Sequence, residues 1–252
     1  MLRIRIMPTL LYKDVGLVKG ISFDSWRRVG SVMQAVKVYN MRDVDELVFL
    51  DITATRDARS PDFALVDDIA DECQMPLTVG GGVRTVEDVR ALLQVGADKV
   101  AINTAAVGRP ELIRETADRF GSQCVVVSID ATRHADGRYE VHTHSGATPT
   151  GIDPVTLARK AESLGAGEIL LTSIDRDGTM TGFDIELVRS VCEAVSIPVI
   201  ASGGAGSYEH MQQVLGAGMA SAVAAASIFH FTEQTPREAK QYLRAQGFSV
   251  RI

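Results

Sequence analysis

Short apolar runs rich in β-branched residues alternate with amphipathic stretches along the chain. Each run spans five to eight residues, which is typical of a buried strand. The stretches between them place apolar residues on one helical face, as Val89, Leu92 and Leu93 do. We therefore predict eight strands separated by helices, with the strands over residues 5–10, 46–51, 76–80, 99–103, 123–130, 168–172, 197–201 and 221–225.

Eight strand–helix units in 252 residues match the size of a closed parallel barrel. We predict an α/β fold, a single (β/α)8 TIM barrel that forms one domain over residues 1–252. A doubly wound parallel sheet is the alternative. It would need fewer strands and usually a dinucleotide-binding glycine motif, which the sequence lacks.

The two halves of the chain resemble each other. Residues 46–50 (ELVFL) align with 168–172 (EILLT) at an offset of 122 residues, and the glycine-rich run 76–82 meets 198–204 at the same offset. Residues 103–105 fall on 225–227 in the same register. One register shared by three separate segments indicates a barrel built of two homologous half-barrels.

The charge and the start of the chain narrow the choice of partners. Twenty-six Lys and Arg against 32 Asp and Glu give a net charge of −6, so the chain lacks the basic excess that would attract nucleic acid or an anionic membrane. The first six residues are too short and too charged for a secretion signal.

The pair His142 and His144 lacks a third ligand, so we expect a surface hairpin there rather than a metal site. We expect a cytoplasmic protein without metal or cofactor and with no nucleic-acid or membrane partner.

Glycine-rich turns follow the third and seventh predicted strands. Functional sites on this fold lie at the carboxyl ends of the strands. Backbone N–H groups of glycine, which no side chain shields, can contact an anion there. Small or hydroxyl residues follow the fourth and eighth strands, so each half predicts one phosphate cradle. Glycine that serves only the tight turn is the alternative. The predicted phosphate-binding residues are Gly81, Gly82, Asn103 and Thr104 in the first half, and Asp177, Gly178, Gly203, Gly204, Ala226 and Ser227 in the second.

Three acids follow predicted strands and are candidates for proton transfer. Asp130 follows the fifth strand, and Asp51 and Asp177 follow the second and sixth. A carboxylate rimmed by apolar strand can acquire a pKa suited to acid–base chemistry. We take Asp130 as the catalytic candidate and Asp51 as a supporting acid. The alternative for each is an Asp that caps the following turn.

Four charged residues lie at the starts of predicted strands, at the opposite end of the barrel. Two are cations and two are anions, so they can form a ring that closes the bottom: Arg5, Glu46, Lys99 and Glu168. Judged from composition alone, such a ring is a structural plug.

Six segments resemble the HisF family, the cyclase subunit of imidazole glycerol phosphate synthase, and together they span almost the whole chain. They are 46–51 (ELVFLD), 78–84 (TVGGGVR), 96–103 (GADKVAIN), 118–124 (DRFGSQC), 165–178 (GAGEILLTSIDRDG) and 198–206 (PVIASGGAG). The resemblance implies a lyase of histidine biosynthesis that pairs with a HisH-type glutaminase. The glutaminase releases ammonia, which crosses the barrel and reacts at the top with a bisphosphorylated aminoimidazole carboxamide ribonucleotide precursor.

The same resemblance assigns roles to residues of this chain. It implies that the four charged residues form an ammonia gate and that Lys19 is the lysine of a mobile loop after the first strand. Asp130 corresponds to one of two catalytic aspartates. The other aspartate is absent, because position 11 at the end of the first strand is Leu11, which cannot transfer a proton.

An intact gate with a missing acid resembles an offshoot of the HisF family. These HisF-like proteins pair with a HisH-type glutaminase and supply ammonia to a sugar amidotransferase that makes acetamidino sugars for surface polysaccharide. We take this as the leading hypothesis. Two alternatives stay open: a genuine cyclase in which Asp51 partly replaces the missing acid, and a non-catalytic scaffold barrel that binds phosphorylated metabolites.

Overall fold

The computed structural model describes residues 3–251, and within them eight parallel strands close into a barrel. The pairing runs in chain order and closes through the ladder between the last strand and the first. The predicted (β/α)8 barrel is therefore confirmed. The barrel strands are β1 (Arg5–Lys13), β4 (Leu47–Asp51), β5 (Leu77–Gly80), β6 (Lys99–Ile102), β7 (Val125–Arg133), β10 (Glu168–Ser173), β11 (Val199–Ser202) and β12 (Ala222–Ala225).

Two barrel strands run past their predicted ends into antiparallel hairpins. β1 continues to Lys13 because β2 (Gly16–Ile21) pairs back on it and then with β3 (Asp24–Gly30). β7 continues to Arg133 and pairs with β8 (Tyr139–Thr143), which pairs with β9 (Thr148–Pro149). The first hairpin was not predicted. The second was expected as a surface excursion, and this was wrong in part, because its turn folds over the mouth of the barrel.

The helices surround the barrel, and two of them begin at caps formed by local sequence motifs. Thr85 and Asp88 form a reciprocal capping box at the start of α3, and Asp153 caps α6 ahead of a proline at the first helical position. The helices are α1 (Val32–Asn40), α2 (Phe63–Glu72), α3 (Val86–Gln94), α4 (Thr104–Gly108), α5 (Glu111–Phe120), α6 (Pro154–Ser163), α7 (Ile185–Cys192), α8 (Tyr208–Gly216), α9 (Ser227–Phe231) and α10 (Pro236–Ala245). Across residues 3–251, none of them is long and apolar enough to cross a membrane.

The barrel interior is layered because alternate side chains of each strand face inward. Two positions after each of the four charged strand starts comes a buried apolar residue: Met7, Val48, Ala101 and Leu170. These four belong to one inner apolar cluster with Val126, Ile200, Ala222 and Ala224. Two positions further along β1, Thr9 begins the polar mouth. The larger hydrophobic core lies between the barrel and the helices.

Candidate active site

The carboxyl ends of the barrel strands surround one cavity of about 1140 Å³, its open mouth included. Every residue that the sequence predicted for the mouth lines this cavity. The predicted residues therefore belong to one site. The members are Lys19, Asp51, Gly81, Gly82, Asn103, Thr104, Asp130, Asp177, Gly178, Gly203, Gly204, Ala226 and Ser227.

Asp130 is a buried carboxyl group on the wall of this cavity. Burial, together with the nearby Asp177, raises its pKa to about 7, and hydroxyls of Thr172 and Ser128 oppose the shift. The amide Nδ2 of Asn103 donates to Asp130 Oδ2 at 3.2 Å. A carboxyl group with a pKa near neutrality can both accept and return a proton.

Asp177 lies in the turn after β10 and holds the first hairpin down. Lys19 of β2 donates from Nζ to Asp177 Oδ2 at 2.6 Å, and Lys19 is almost fully buried. The backbone N–H of Ser22 also donates to the Asp177 carbonyl. Burial raises the pKa of Asp177, while Lys19 and the N–H of Gly178 counteract it. The ion pair closes the β2–β3 hairpin over the second half of the mouth.

The first cradle is formed by Gly81, Gly82, Asn103 and Thr104, between β5 and β6 and their helices. Gly82 has a positive φ of 74°, and a Cβ atom there would lie 2.7 Å from the Arg59 carbonyl oxygen, so only glycine fits. Its N–H donates to Thr55 Oγ1 at 3.2 Å. Thr104 begins α4, and its Oγ1 accepts from the backbone N–H of His144 in the β8–β9 turn at 3.0 Å.

The second cradle is formed by Gly178, Gly203, Gly204, Ala226 and Ser227, between β11 and β12 and beside the turn of Asp177. Gly204, with φ 110°, is packed against the backbone of Gly182, which leaves no room for a side chain. Ser227 begins α9, is 5% exposed, and its Oγ has no hydrogen-bond partner in the described part of the chain.

Asp51, predicted as a supporting acid, makes the hydrogen bonds expected of the alternative, an Asp that caps the following turn. Its Oδ1 accepts from Thr53 N, Thr53 Oγ1 and Ala54 N, each at 3.0 Å, and its Oδ2 pairs with Arg59. The carboxylate thus caps the turn after β4. Its role as an acid stays a prediction.

Leu11 occupies the position that corresponds to Asp130 in the other half. Leu11 pairs with Leu50 on the neighbouring strand, and Asp130 pairs with Thr172. Leu50 and Thr172 are equivalent in the internal repeat, since they are 122 residues apart. Leu11 also lines the cavity. The repeat therefore puts an apolar side chain where a second carboxylate would face Asp130.

The four charged residues form a closed ring at the opposite end of the barrel. Arg5 Nη1 lies 2.8 Å from Glu46 Oε2 and 3.0 Å from Glu168 Oε1. Lys99 Nζ lies 2.8 Å from Glu46 Oε2 and 3.2 Å from Glu168 Oε2. Burial lowers the pKa of Arg5, but the two carboxylates outweigh it and the net shift is upward. Each cation therefore bridges both anions, and the inner apolar cluster lies between this ring and the mouth.

Several residues of the mouth escaped the sequence analysis. Phe23 reaches the cavity from the first hairpin and Ser145 from the turn of the second. Trp26, for which the sequence left a lid anchor and a packed loop residue open, also reaches the cavity from the first hairpin. Thr9 lines the cavity two positions before Leu11, and its Oγ1 is buried without a partner in residues 3–251. For Thr9, the inward alternation from Arg5 through Met7 was the available signal.

Comparison with protein-family models agrees with this geometry. The model of a family described as histidine biosynthesis protein matches residues 5–235, which include all eight barrel strands, both cradles and the ring. The chain therefore belongs to the histidine biosynthesis protein family, whose members are isomerases and cyclases of the histidine pathway.

Proposed function

We propose that this chain is the HisF-like synthase subunit of a glutamine amidotransferase system. A HisH-type glutaminase binds at the charged ring and releases ammonia, which crosses the barrel to the mouth. The observation that carries the proposal is the ring of Arg5, Glu46, Lys99 and Glu168 in front of an apolar interior. A scaffold that only binds metabolites has no need of such a passage.

The apolar interior favours the passage of neutral ammonia over that of the ammonium ion. Moving an ammonium ion past Met7, Val48 and Leu170 would leave its charge without hydrogen-bond partners, which is far more costly than moving neutral ammonia. The ring of four charged residues lies at the entrance to this interior. Opening it requires Lys99 to leave Glu46 and Glu168. Lys99 is therefore the residue whose removal tests the passage.

We further propose that the ammonia serves the amidation of a sugar by a separate sugar amidotransferase in surface-polysaccharide biosynthesis. Leu11 supports this part, because the cyclase reaction implied by the HisF resemblance uses two opposed acids and the mouth keeps only Asp130 at the paired positions. Loss of a positioned acid or base lowers a rate by about 10²- to 10⁴-fold.

A genuine cyclase is the second candidate. Asp130 favours it, because a pKa of about 7 suits proton transfer at neutral pH. In that case Asp177 or Asp51 would have to supply the second acid. Both are committed to partners, Asp177 to Lys19 and Asp51 to the turn after β4.

The test follows nitrogen from glutamine to the acceptor. The purified chain is combined with a HisH-type glutaminase, the sugar amidotransferase and its sugar, and glutamate and amidated product are measured together. We expect nearly one product for each glutamate with the native chain, and a several-fold lower ratio with Lys99→Ala. Arg109→Ala, which breaks an exposed ion pair with Glu115, is the matched control and should keep the native ratio.

An unchanged product-to-glutamate ratio in Lys99→Ala would contradict the passage through the ring. Product formed from the bisphosphorylated imidazole precursor instead of the sugar would favour the second candidate.

A further inference from the structure

A further pair of buried charges lies at the same end of the barrel as the ring but is not part of it. Lys240 of α10 donates from Nζ to Asp45 Oδ1 at 3.1 Å, and the two side chains are 4% and 3% exposed. Asp45 lies between α1 and β4 and directly precedes Glu46 of the ring. Lysine and aspartate are almost never buried this fully unless they are paired. The pair is therefore a specific feature of this end of the barrel.

The second oxygen of Asp45 binds the backbone of β1. The N–H of Ile6 donates to Asp45 Oδ2 at 2.9 Å, and Ile6 directly follows Arg5 of the ring. The ladder between β1 and β4 begins only at Thr9 and Val48, so Ile6 lies below it. The Asp45 carboxylate therefore takes the place of a ladder bond and gives the buried N–H of Ile6 an acceptor.

The contacts of Glu46 depend on how β1 and β4 are spaced below their ladder. Glu46 Oε2 lies 2.8 Å from both Arg5 Nη1 and Lys99 Nζ. Glu46 Oε1 accepts from Thr78 Oγ1 at 2.6 Å. A hydrogen bond of this length is lost when its two atoms separate by about 1 Å. Asp45 joins the two chain segments that carry Arg5 and Glu46, so its hydrogen bonds help to keep these atoms within reach of one another.

Two cations of α10 contact the segment between α1 and β4, but they differ in burial. Arg237 Nε lies 2.7 Å from Asp43 Oδ2, and the two side chains are 53% and 55% exposed. Within residues 3–251 the Asp43 carboxylate has no hydrogen bond to β1. Exposed ion pairs contribute little to stability. Arg237 is therefore a matched control for Lys240, because it binds the same segment from the same helix without a link to the ring.

We propose that Asp45 and Lys240 are positioning residues of the ring. Asp45 holds the backbones of β1 and β4 at the spacing that lets Glu46 bind both cations, and Lys240 neutralises and orients the Asp45 carboxylate. Without Lys240 the carboxylate is a buried charge with no counter-charge, so it moves towards water and its bond to Ile6 is lost. The proposal rests on the proposed function only for its consequence, the passage of ammonia, because the state of the ring can be measured without ammonia.

The first experiment measures the rate at which an amine-acylating reagent modifies each lysine of the full-length chain, read by mass spectrometry. The Lys99 side chain is 16% exposed and lies in the ring, Lys19 is buried at the mouth, and Lys37 is 61% exposed. We expect Lys240→Met to raise the reactivity of Lys99 relative to Lys37 by at least about threefold and to leave Lys19 protected. Arg237→Ala should leave all three at their native rates.

Two double variants separate the hydrogen bond from the charge. Asp45→Asn/Lys240→Met and Asp45→Ala/Lys240→Met both remove the two buried charges, but only asparagine keeps an oxygen that can accept from the Ile6 N–H. We expect near-native protection of Lys99 with asparagine, and the increased reactivity of Lys240→Met with alanine. Neither double variant buries an unpaired charge, so they test the proposal even where Lys240→Met does not fold.

The consequence for nitrogen transfer is measured with the glutaminase and the sugar amidotransferase. We expect the product-to-glutamate ratio to fall several-fold in Asp45→Ala/Lys240→Met, because a ring that has lost its contacts no longer seals the passage from bulk water. Asp45→Asn/Lys240→Met and Arg237→Ala should keep nearly the native ratio.

Equal reactivity of Lys99 in the native chain and in Lys240→Met would overturn the proposal, and so would equal reactivity in the two double variants. A joint rise at Lys99 and Lys19 would also overturn it, because that is the result of a general loss of stability. Raised Lys99 reactivity in Lys240→Met beside a native product-to-glutamate ratio in Lys99→Ala would support the positioning role and contradict the passage of ammonia. The two proposals can therefore fail separately.

Discussion

The ends of β1 and β7 occupy the same place in the two halves of the barrel, but they carry opposite chemistry. Both strands pair with their neighbours in the same register, both continue into a hairpin, and both reach the cavity. At the equivalent position β1 carries Leu11 and β7 carries Asp130. The backbone ladder and the inward alternation fix the place, whereas the chemistry depends on one side chain.

The two positions also differ in what they do to stability. Leu11 is an apolar side chain in a largely apolar strand end, so its burial favours folding. Asp130 is a carboxyl group whose burial disfavours its charged form. Asp130 therefore lowers stability at neutral pH, whereas Leu11 at the equivalent position does not. A residue that lowers stability in this way is best explained by function.

The largest effect on stability is expected from Asp130 as pH changes. Its folded pKa of about 7 lies above the ordinary value of 3.8, so its contribution to stability is complete below pH 3.8 and is lost as pH rises through 7. The loss is about 4 kcal/mol for a shift of about three units. The free energy of unfolding of Asp130→Asn, measured with urea, should not show this loss. The variant should therefore become more stable relative to the native chain as pH rises from 4 to 8. Parallel pH profiles of the two proteins would show that burial does not raise the pKa of Asp130.

A slightly smaller effect is expected at the other end of the barrel. Glu46 is almost fully buried and binds Arg5, Lys99 and Thr78 Oγ1. Glu46→Ala leaves two cations to share Glu168, and breaking such a buried network costs about 3 kcal/mol. Urea unfolding measures the loss. Glu115→Ala, from an exposed pair, should cost less than about 1 kcal/mol, and equal losses would mean that the ring is not a coupled unit.

The smallest effect is expected at Asp51. Asp51→Asn keeps the Oδ1 that accepts from Thr53 and Ala54 and loses only the charge opposite the half-exposed Arg59. We expect a loss below about 1 kcal/mol in the free energy of unfolding. We also expect unchanged nitrogen transfer. A large loss of transfer without loss of stability would restore Asp51 as an acid.

Much of the fold could be predicted from the sequence because its signals are local. The eight barrel strands, the capping box of Thr85 and the cap of Asp153 follow from patterns within a few residues. The first hairpin could not be predicted, because β3 is mostly exposed and β2 buries a lysine, so neither shows an apolar alternation. Lys19 is buried only because Asp177, 158 residues away, supplies its partner.

The membership of the mouth was predictable, but the state of its groups was not. Strand ends followed by glycine and hydroxyl residues indicate which side chains converge. Whether the Thr104 hydroxyl is occupied depends on where the β8–β9 turn comes to rest. That position is set by tertiary contacts such as the bond of Ser145 to Ile52, which leave no pattern in the sequence.

We propose that Leu11, opposite Asp130, is what separates this chain from a cyclase. The most direct measurement is turnover of the bisphosphorylated imidazole precursor with ammonium salt at mildly alkaline pH, by the native chain and by Leu11→Asp. Ammonium salt removes the need for a glutaminase. We predict no turnover by the native chain and a gain of about 10²- to 10⁴-fold above background in Leu11→Asp. Turnover by the native chain, or none by a folded Leu11→Asp variant, would contradict the claim.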